Sequence, residues 1–175
     1  MQYLLKVSLN NTSVWRLVAV DGSADRAFIG DLIALSFDYP VCKRHFVIGG
    51  SIYTAGSQIK DSSELIGFDS FNLQSGDKFE FVCELDETLA HTVEVMKCEE
   101  KLYCVMPSTL VGAGLLPENG PYNYSTIENF VEGEETPSLD LRLCTTRMRA
   151  LGVMRADAHQ ALLKTGADEL KFNME

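Results

Sequence analysis

The stretch KFEFVCELDETLAHTVEV, residues 78–95, alternates apolar and polar side chains on both sides of an acidic tip. Strict alternation is the period of a strand with one buried face, so the segment reads as a β-hairpin, and the rest of the chain must supply a core for that face. Pairing residues 79–85 with 89–95 across a loop of Asp86, Glu87 and Thr88 opposes Leu85 to Leu89, Cys83 to His91, Phe81 to Val93 and Phe79 to Val95. That register gathers the apolar residues on one side. His91 then faces the core and Glu84 faces away, so the two share neither a metal nor a proton. Asp86 and Glu87 sit in the loop, where solvated carboxylates are ordinary.

Other segments show the same punctuation. Residues 3–9 and 14–20 are β-rich runs joined by Asn10, Asn11, Thr12 and Ser13, which predicts an opening hairpin with Trp15 in the core. Phe28, Ile29, Leu32, Ile33 and Leu35 fall at helical spacing after an N-cap at Asp21 or Ser23, and the helix ends near Phe37, before Tyr39-Pro40. Residues 45–56 read as two strands around a Gly49-Gly50 turn, and residues 57–77 as a polar loop. A strand is expected over 102–106, with Gly112 and Gly114 in a flexible loop after it. Ser125 to Glu128 fits a capping box for a helix over 126–131, and the acidic run 132–136 before Pro137 reads as a linker. Beyond it, two helices meet around Leu151, Gly152 and Val153, with Gly166 closing the second.

These elements predict an α+β protein with a mixed or antiparallel, roll-like sheet, one principal helix and a C-terminal helical extension. The division expected is a domain over residues 1–136 and a helical segment over 137–175. At 175 residues and 46% hydrophobic content the chain is long enough to bury a normal core without disulfide or metal staples. It carries no run long enough for a transmembrane helix, and residues 1–11 lack the apolar core of a signal peptide, so a cytoplasmic location and no membrane contact are expected. Five scattered cysteines, Cys42, Cys83, Cys98, Cys104 and Cys144, read as reduced core thiols. The net charge of −10 is concentrated: residues 60–135 hold sixteen acidic and four basic side chains, a balance of −12, against +2 for the flanks. Such a middle repels phosphate backbones.

Val14-Trp15-Arg16, the run His45 to Tyr53, Gly76-Asp77-Lys78-Phe79-Glu80-Phe81 and Gly120-Pro121-Tyr122-Asn123-Tyr124 follow one another in order. Over residues 2–131 this order and spacing resembles the plasmid pRiA4b ORF-3-like family, whose relatives are also described as passenger proteins of a transposable element. The resemblance implies an α+β roll-like domain of the MM3350-like kind, and the passenger label implies a resolvase-like role. Where relatives carry a tyrosine, aspartate, phenylalanine, glycine, aspartate, tryptophan, histidine pattern in the central hairpin, this chain has Cys83, Glu84, Leu85, Asp86, Glu87, Leu89 and His91. The histidine and the acidity are what it keeps.

The residues restrict chemistry more than they specify it. Cys83 and His91 are the one cysteine and histidine the hairpin brings together, a pair to test for nucleophilic catalysis, although an apolar face keeps a thiol neutral. Cys98 and Cys104 lack a second close pair for zinc, and the Gly112 and Gly114 cluster lacks the lysine of a phosphate loop, so neither a metal nor a cofactor is expected. Tyr122 and Tyr124, with Asp86 and Glu87, are the candidate interaction surface; the equal alternative is that the two tyrosines staple their loop to the sheet. Arg142, Arg147 and Arg149 are the candidate phosphate contacts. The function expected is a non-enzymatic protein-interaction module with a protein partner. A DNA-linked accessory role through the C-terminal arginines is the alternative, and a metal or hydrolytic enzyme the second.

Overall fold

The computed structural model describes residues 1–56, 66–133 and 138–164. Seven strands form one open sheet: β1 (Gln2–Leu9), β2 (Trp15–Asp21), β3 (Lys43–Ile48), β4 (Ser51–Thr54), β5 (Lys78–Glu84), β6 (Thr88–Glu99) and β7 (Ser108–Ala113). Their order across the sheet is β4-β3-β5-β6-β1-β2-β7, and every pairing is antiparallel. Three tight hairpins drive this order. Asn11 at φ 59° turns β1 into β2, and Gly49 and Gly50 at φ 58° and 80° turn β3 into β4 with no side chain in the way. The third is the acidic hairpin β5–β6.

Alternation selects the buried face. Tyr3, Leu5, Val7 and Leu9 of β1 point inward with Phe79, Phe81 and Cys83 of β5 and Leu89, His91, Val93 and Val95 of β6. Phe46, Phe68, Phe79 and Phe81 pack edge-on or tilted, with centroids 5.3–6.1 Å apart. Helix α1 (Arg26–Ser36) covers this face with Ile29, Leu32 and Ile33. Its N-cap is Asp25, whose carboxylate accepts from Phe28 N at 2.7 Å, and not Asp21 or Ser23. Asp21 instead closes its own turn with Ser23. Trp15 is half-buried on the outer face under Lys6, and its neighbour Arg16 points into the core. The expectation of a core tryptophan is thus corrected by one position of register.

The second half departs further from expectation. Residues 102–106 form no strand; the strand is β7, so Gly112 lies in a sheet and not in a flexible loop. A Cβ on Gly112 would stand 2.7 Å from Trp15 O, which explains the glycine as close backbone approach. Residues 68–71 make a short 3-10 helix, while 57–65 fall outside the described residues. Helix α2 (Tyr124–Val131) starts at Asn123, whose side chain accepts from Thr126 N, instead of at a Ser125 capping box. The expected linker falls largely on residues outside those described, as does Gly166.

Helix α3 (Leu141–Lys164) is continuous through Gly152 where two helices were expected. It lies along β7 and α1. Thr145 accepts from Thr109 N at 3.1 Å and donates to Thr109 O at 3.2 Å, so a helix side chain occupies the hydrogen-bonding edge of the last strand. Met148 is fully buried against Thr109, and Cys144 is buried beside Ser36. Met148→Ala is expected to cost about 2–4 kcal/mol through the cavity it leaves, measured by urea unfolding. A cost under about 0.5 kcal/mol would show that α3 contributes little to the fold.

Candidate functional site

Three of the buried polar groups, Arg16, Ser36 and His91, gather near one corner, where α1 ends and the β5–β6 hairpin turns. Helix α1 closes with Asp38 in the left-handed region at φ 61°, and Tyr39 N and Asp38 N donate back to Ala34 O and Leu35 O. This reversal sends Tyr39 inward. Its ring stacks on Phe37 at 5.3 Å, 7° from parallel, and its hydroxyl lies 2.9 Å from His91 Nε2. The other ring nitrogen, Nδ1, lies 2.9 Å from Phe81 O. A carbonyl only accepts, so Nδ1 carries the proton and Nε2 accepts from the Tyr39 hydroxyl. Burial lowers the His91 pKa to about 4 and raises that of Tyr39 well above its ordinary value, which leaves both neutral near pH 7.

Behind this pair stands Arg16, with 1% of its surface exposed. Its guanidinium packs on the Phe37 ring at 4.8 Å and donates to four carbonyl oxygens: Ser36 and Ala113 at 2.7 Å, Trp15 and Gly114 at 2.8 Å. Desolvation lowers its pKa to about 10, so it remains a cation at neutral pH. Arg16 therefore ties β2, β7 and the end of α1 together and backs the ring of Phe37, on which Tyr39 rests.

In front stands the acidic tip. The hairpin pairs Glu84 with Thr88, Cys83 with Leu89 and Phe81 with His91, leaving Leu85, Asp86 and Glu87 in the loop. This corrects the expected partners by a shift of two, which preserves every face assignment. Asp86 Oδ2 accepts from Tyr122 N at 2.7 Å, and Glu87 Oε2 accepts from Tyr124 N at 3.0 Å. Glu87 N donates to Tyr122 O, and Ala90 N donates to the Tyr124 hydroxyl at 2.8 Å. Tyr122 is buried edge-on against Tyr39, while Asp86 and Glu87 remain exposed. All four candidate interaction residues thus belong to one assembly that closes over the Tyr39–His91 pair. Replacing Asp86 and Glu87 together by alanine is expected to cost about 2 kcal/mol, roughly one for each main-chain N–H left to water. Urea unfolding of the double variant measures it; an unchanged midpoint would show that the loop is held by its tyrosine rings alone.

Cys83 and His91 share the inner face but take other partners. Cys83 neighbours Cys42, in the segment leading into β3, and the nitrogens of His91 go to Phe81 and Tyr39. Of the arginines, Arg147 forms an ion pair with Asp38, whereas Arg142 and Arg149 are exposed on α3. Among the described residues no group of three or more histidine, cysteine or acidic side chains is arranged to hold a metal ion. The residues that sequence reasoning missed are Tyr39, Arg16 and Cys42. Arg16 was visible in principle: in a strand whose inward positions include Val14, Val18 and Val20, position 16 also faces in. Tyr39 and Cys42 lie outside any periodic segment and carried no such signal.

Fold and corner together define an α+β protein with, among the described residues, a seven-stranded open antiparallel sheet, three α-helices and an MM3350-like fold. A solved structure similar to it is the protein of unknown function MM3350 from Methanosarcina mazei Go1, at TM-score 0.56 and 13% identity over 81% of this chain and 96% of that one. No protein-family model and no curated protein matches the chain. No described helix is long and apolar enough to cross a membrane.

Proposed function

We propose that this chain is a non-enzymatic protein-interaction module of the plasmid pRiA4b ORF-3-like type, working in the cytoplasm, whose partner docks at the acidic and aromatic corner. The observation that carries this reading is the double clamp of Asp86 and Glu87 on the main chain of Tyr122 and Tyr124. It fixes a loop in one conformation before any partner arrives, which lowers the entropy lost on binding. Around it Glu84, Asp86, Glu87 and Glu118 stay exposed, with Pro121 and, at 70% exposure, Val41. An acidic rim around apolar side chains suits a partner that presents basic and apolar residues together. The buried polar groups support binding over catalysis, since His91 and Tyr39 are neutral and engaged with each other.

The test is enrichment of the tagged chain from its native host after nuclease treatment, beside the Asp86→Ala/Glu87→Ala variant. A stoichiometric protein recovered with the parent and lost with the variant is the expected result. Equal recovery with both, or no protein partner, would overturn the reading.

One observation favours a second reading, a DNA-linked accessory role like that of a mobile-element passenger. Arg142 and Arg149 are seven residues apart on α3, so both point to solvent on one side of the helix. Binding to duplex DNA that weakens steeply with salt, and is lost on replacing both arginines, would move the assignment there.

A further inference from the structure

We propose that Cys42 and Cys83 form a dithiol site that hydrogen peroxide converts reversibly into a disulfide. The two side chains are buried neighbours on adjacent segments of the sheet. Cys83 is opposite Arg44 in the β3–β5 pairing, and Cys42 lies two residues before Arg44, on the same side. Regular cross-strand diagonals are too long for a disulfide, but Cys42 precedes the first residue of β3, so its backbone is free to approach without breaking the ladder.

The surroundings favour the chemistry. Cys42 is 8% exposed and Cys83 is fully buried, so Cys42 is the more accessible of the two. Arg44 is itself 8% exposed, pairs with Asp31 through one amino group at 3.0 Å, and keeps a buried Nε without an acceptor. The neighbouring Cys83 thiol, with help from Arg44, lowers the Cys42 pKa to about 7, while Cys83 is raised. The thiolate and the thiol that resolves it are thereby distinguished.

In the first step the Cys42 thiolate attacks one peroxide oxygen, the O–O bond breaks, hydroxide departs, and Cys42 becomes a sulfenic acid. In the second, the Cys83 sulfur attacks the Cys42 sulfur, the S–O bond breaks, and the leaving hydroxide takes the proton of Cys83. Two thiols and one peroxide give one disulfide and two waters. The bond ties the segment carrying Asp38 and Tyr39 to β5, directly beneath the acidic corner. This inference stands apart from the interaction reading.

The full chain is treated with hydrogen peroxide under native conditions, and its peptides are mapped by mass spectrometry before and after a dithiol reductant. Free thiols should fall from five to three, with one cross-link joining Cys42 to Cys83, and the reductant should restore all five. In Cys83→Ser the first step should stop at a Cys42 sulfenic acid that dimedone labels, and Cys42→Ser should give neither product. A cross-link at other cysteines, or dimedone label at the more exposed Cys98 or Cys104 in place of Cys42, would overturn the proposal. So would five intact thiols in the treated parent chain, a result that depends on no variant.

Discussion

Arg16→Met should unfold this protein more readily than any other single change considered, with a loss of about 3–5 kcal/mol. Methionine replaces the apolar stem, so the loss isolates the guanidinium. Four carbonyl oxygens, on Trp15, Ser36, Ala113 and Gly114, lose their donors together, and three belong to segments that are distant in sequence. An orphaned buried acceptor costs about 1–3 kcal/mol, less where water enters. Water reaches some of these sites, so the sum falls short of four full penalties. Arg16→Lys should recover little, since one ammonium cannot span acceptors arranged around a planar fork. Urea unfolding followed by the single tryptophan, Trp15, next to the substitution, gives the measurement. A loss under about 1 kcal/mol would mean that the carbonyls find other donors and that Arg16 is dispensable.

The second large effect is a pH dependence that belongs to His91. Folding lowers its pKa from 6.5 to about 4, because burial disfavours the imidazolium. Between these values the unfolded chain binds a proton that the folded chain does not. Stability therefore falls as pH drops through this window, and the loss is complete below the folded value. The full difference is worth about 3 kcal/mol. Carboxylates contribute to acid sensitivity as well, so the informative quantity is a comparison with His91→Gln. Glutamine can donate to Phe81 O and accept from Tyr39, but it does not titrate. The parent should lose about 3 kcal/mol more than the variant between pH 7 and pH 4, measured as unfolding free energy. Equal losses would show that the ring is not held neutral by its burial.

Much of the fold was legible because β-strands that bury one face write that fact into alternate residues. The opening hairpin, the strands around the Gly49-Gly50 turn and the inward orientation of His91 were readable on that basis, and α1 from its helical spacing. Alternation fixes parity, however, and not the partner: registers differing by two residues bury the same side chains. The hairpin β5–β6 therefore kept its faces while its opposed pairs changed from Cys83 and His91 to Phe81 and His91. Strand β7 was missed because Gly112 and Gly114 resemble loop punctuation, and the reason for Gly112 is the close approach of Trp15 O, a contact from a distant strand. Gly152 suggested a break in α3, yet one glycine costs a helix only about 1 kcal/mol, which docking against β7 and α1 offsets.

The same division holds at the corner. By itself the sequence determined a mixed or antiparallel sheet with one buried face, a buried histidine, an acidic hairpin tip and a separate loop rich in tyrosine, because each follows from local period or composition. Only the tertiary structure decided that the tip carboxylates hold that loop, that Tyr39 meets His91, and that Cys42 meets Cys83. Those contacts join residues 36 to 52 positions apart, and partners at such separations are chosen by the packing of the sheet, which leaves no periodic trace in the residues themselves.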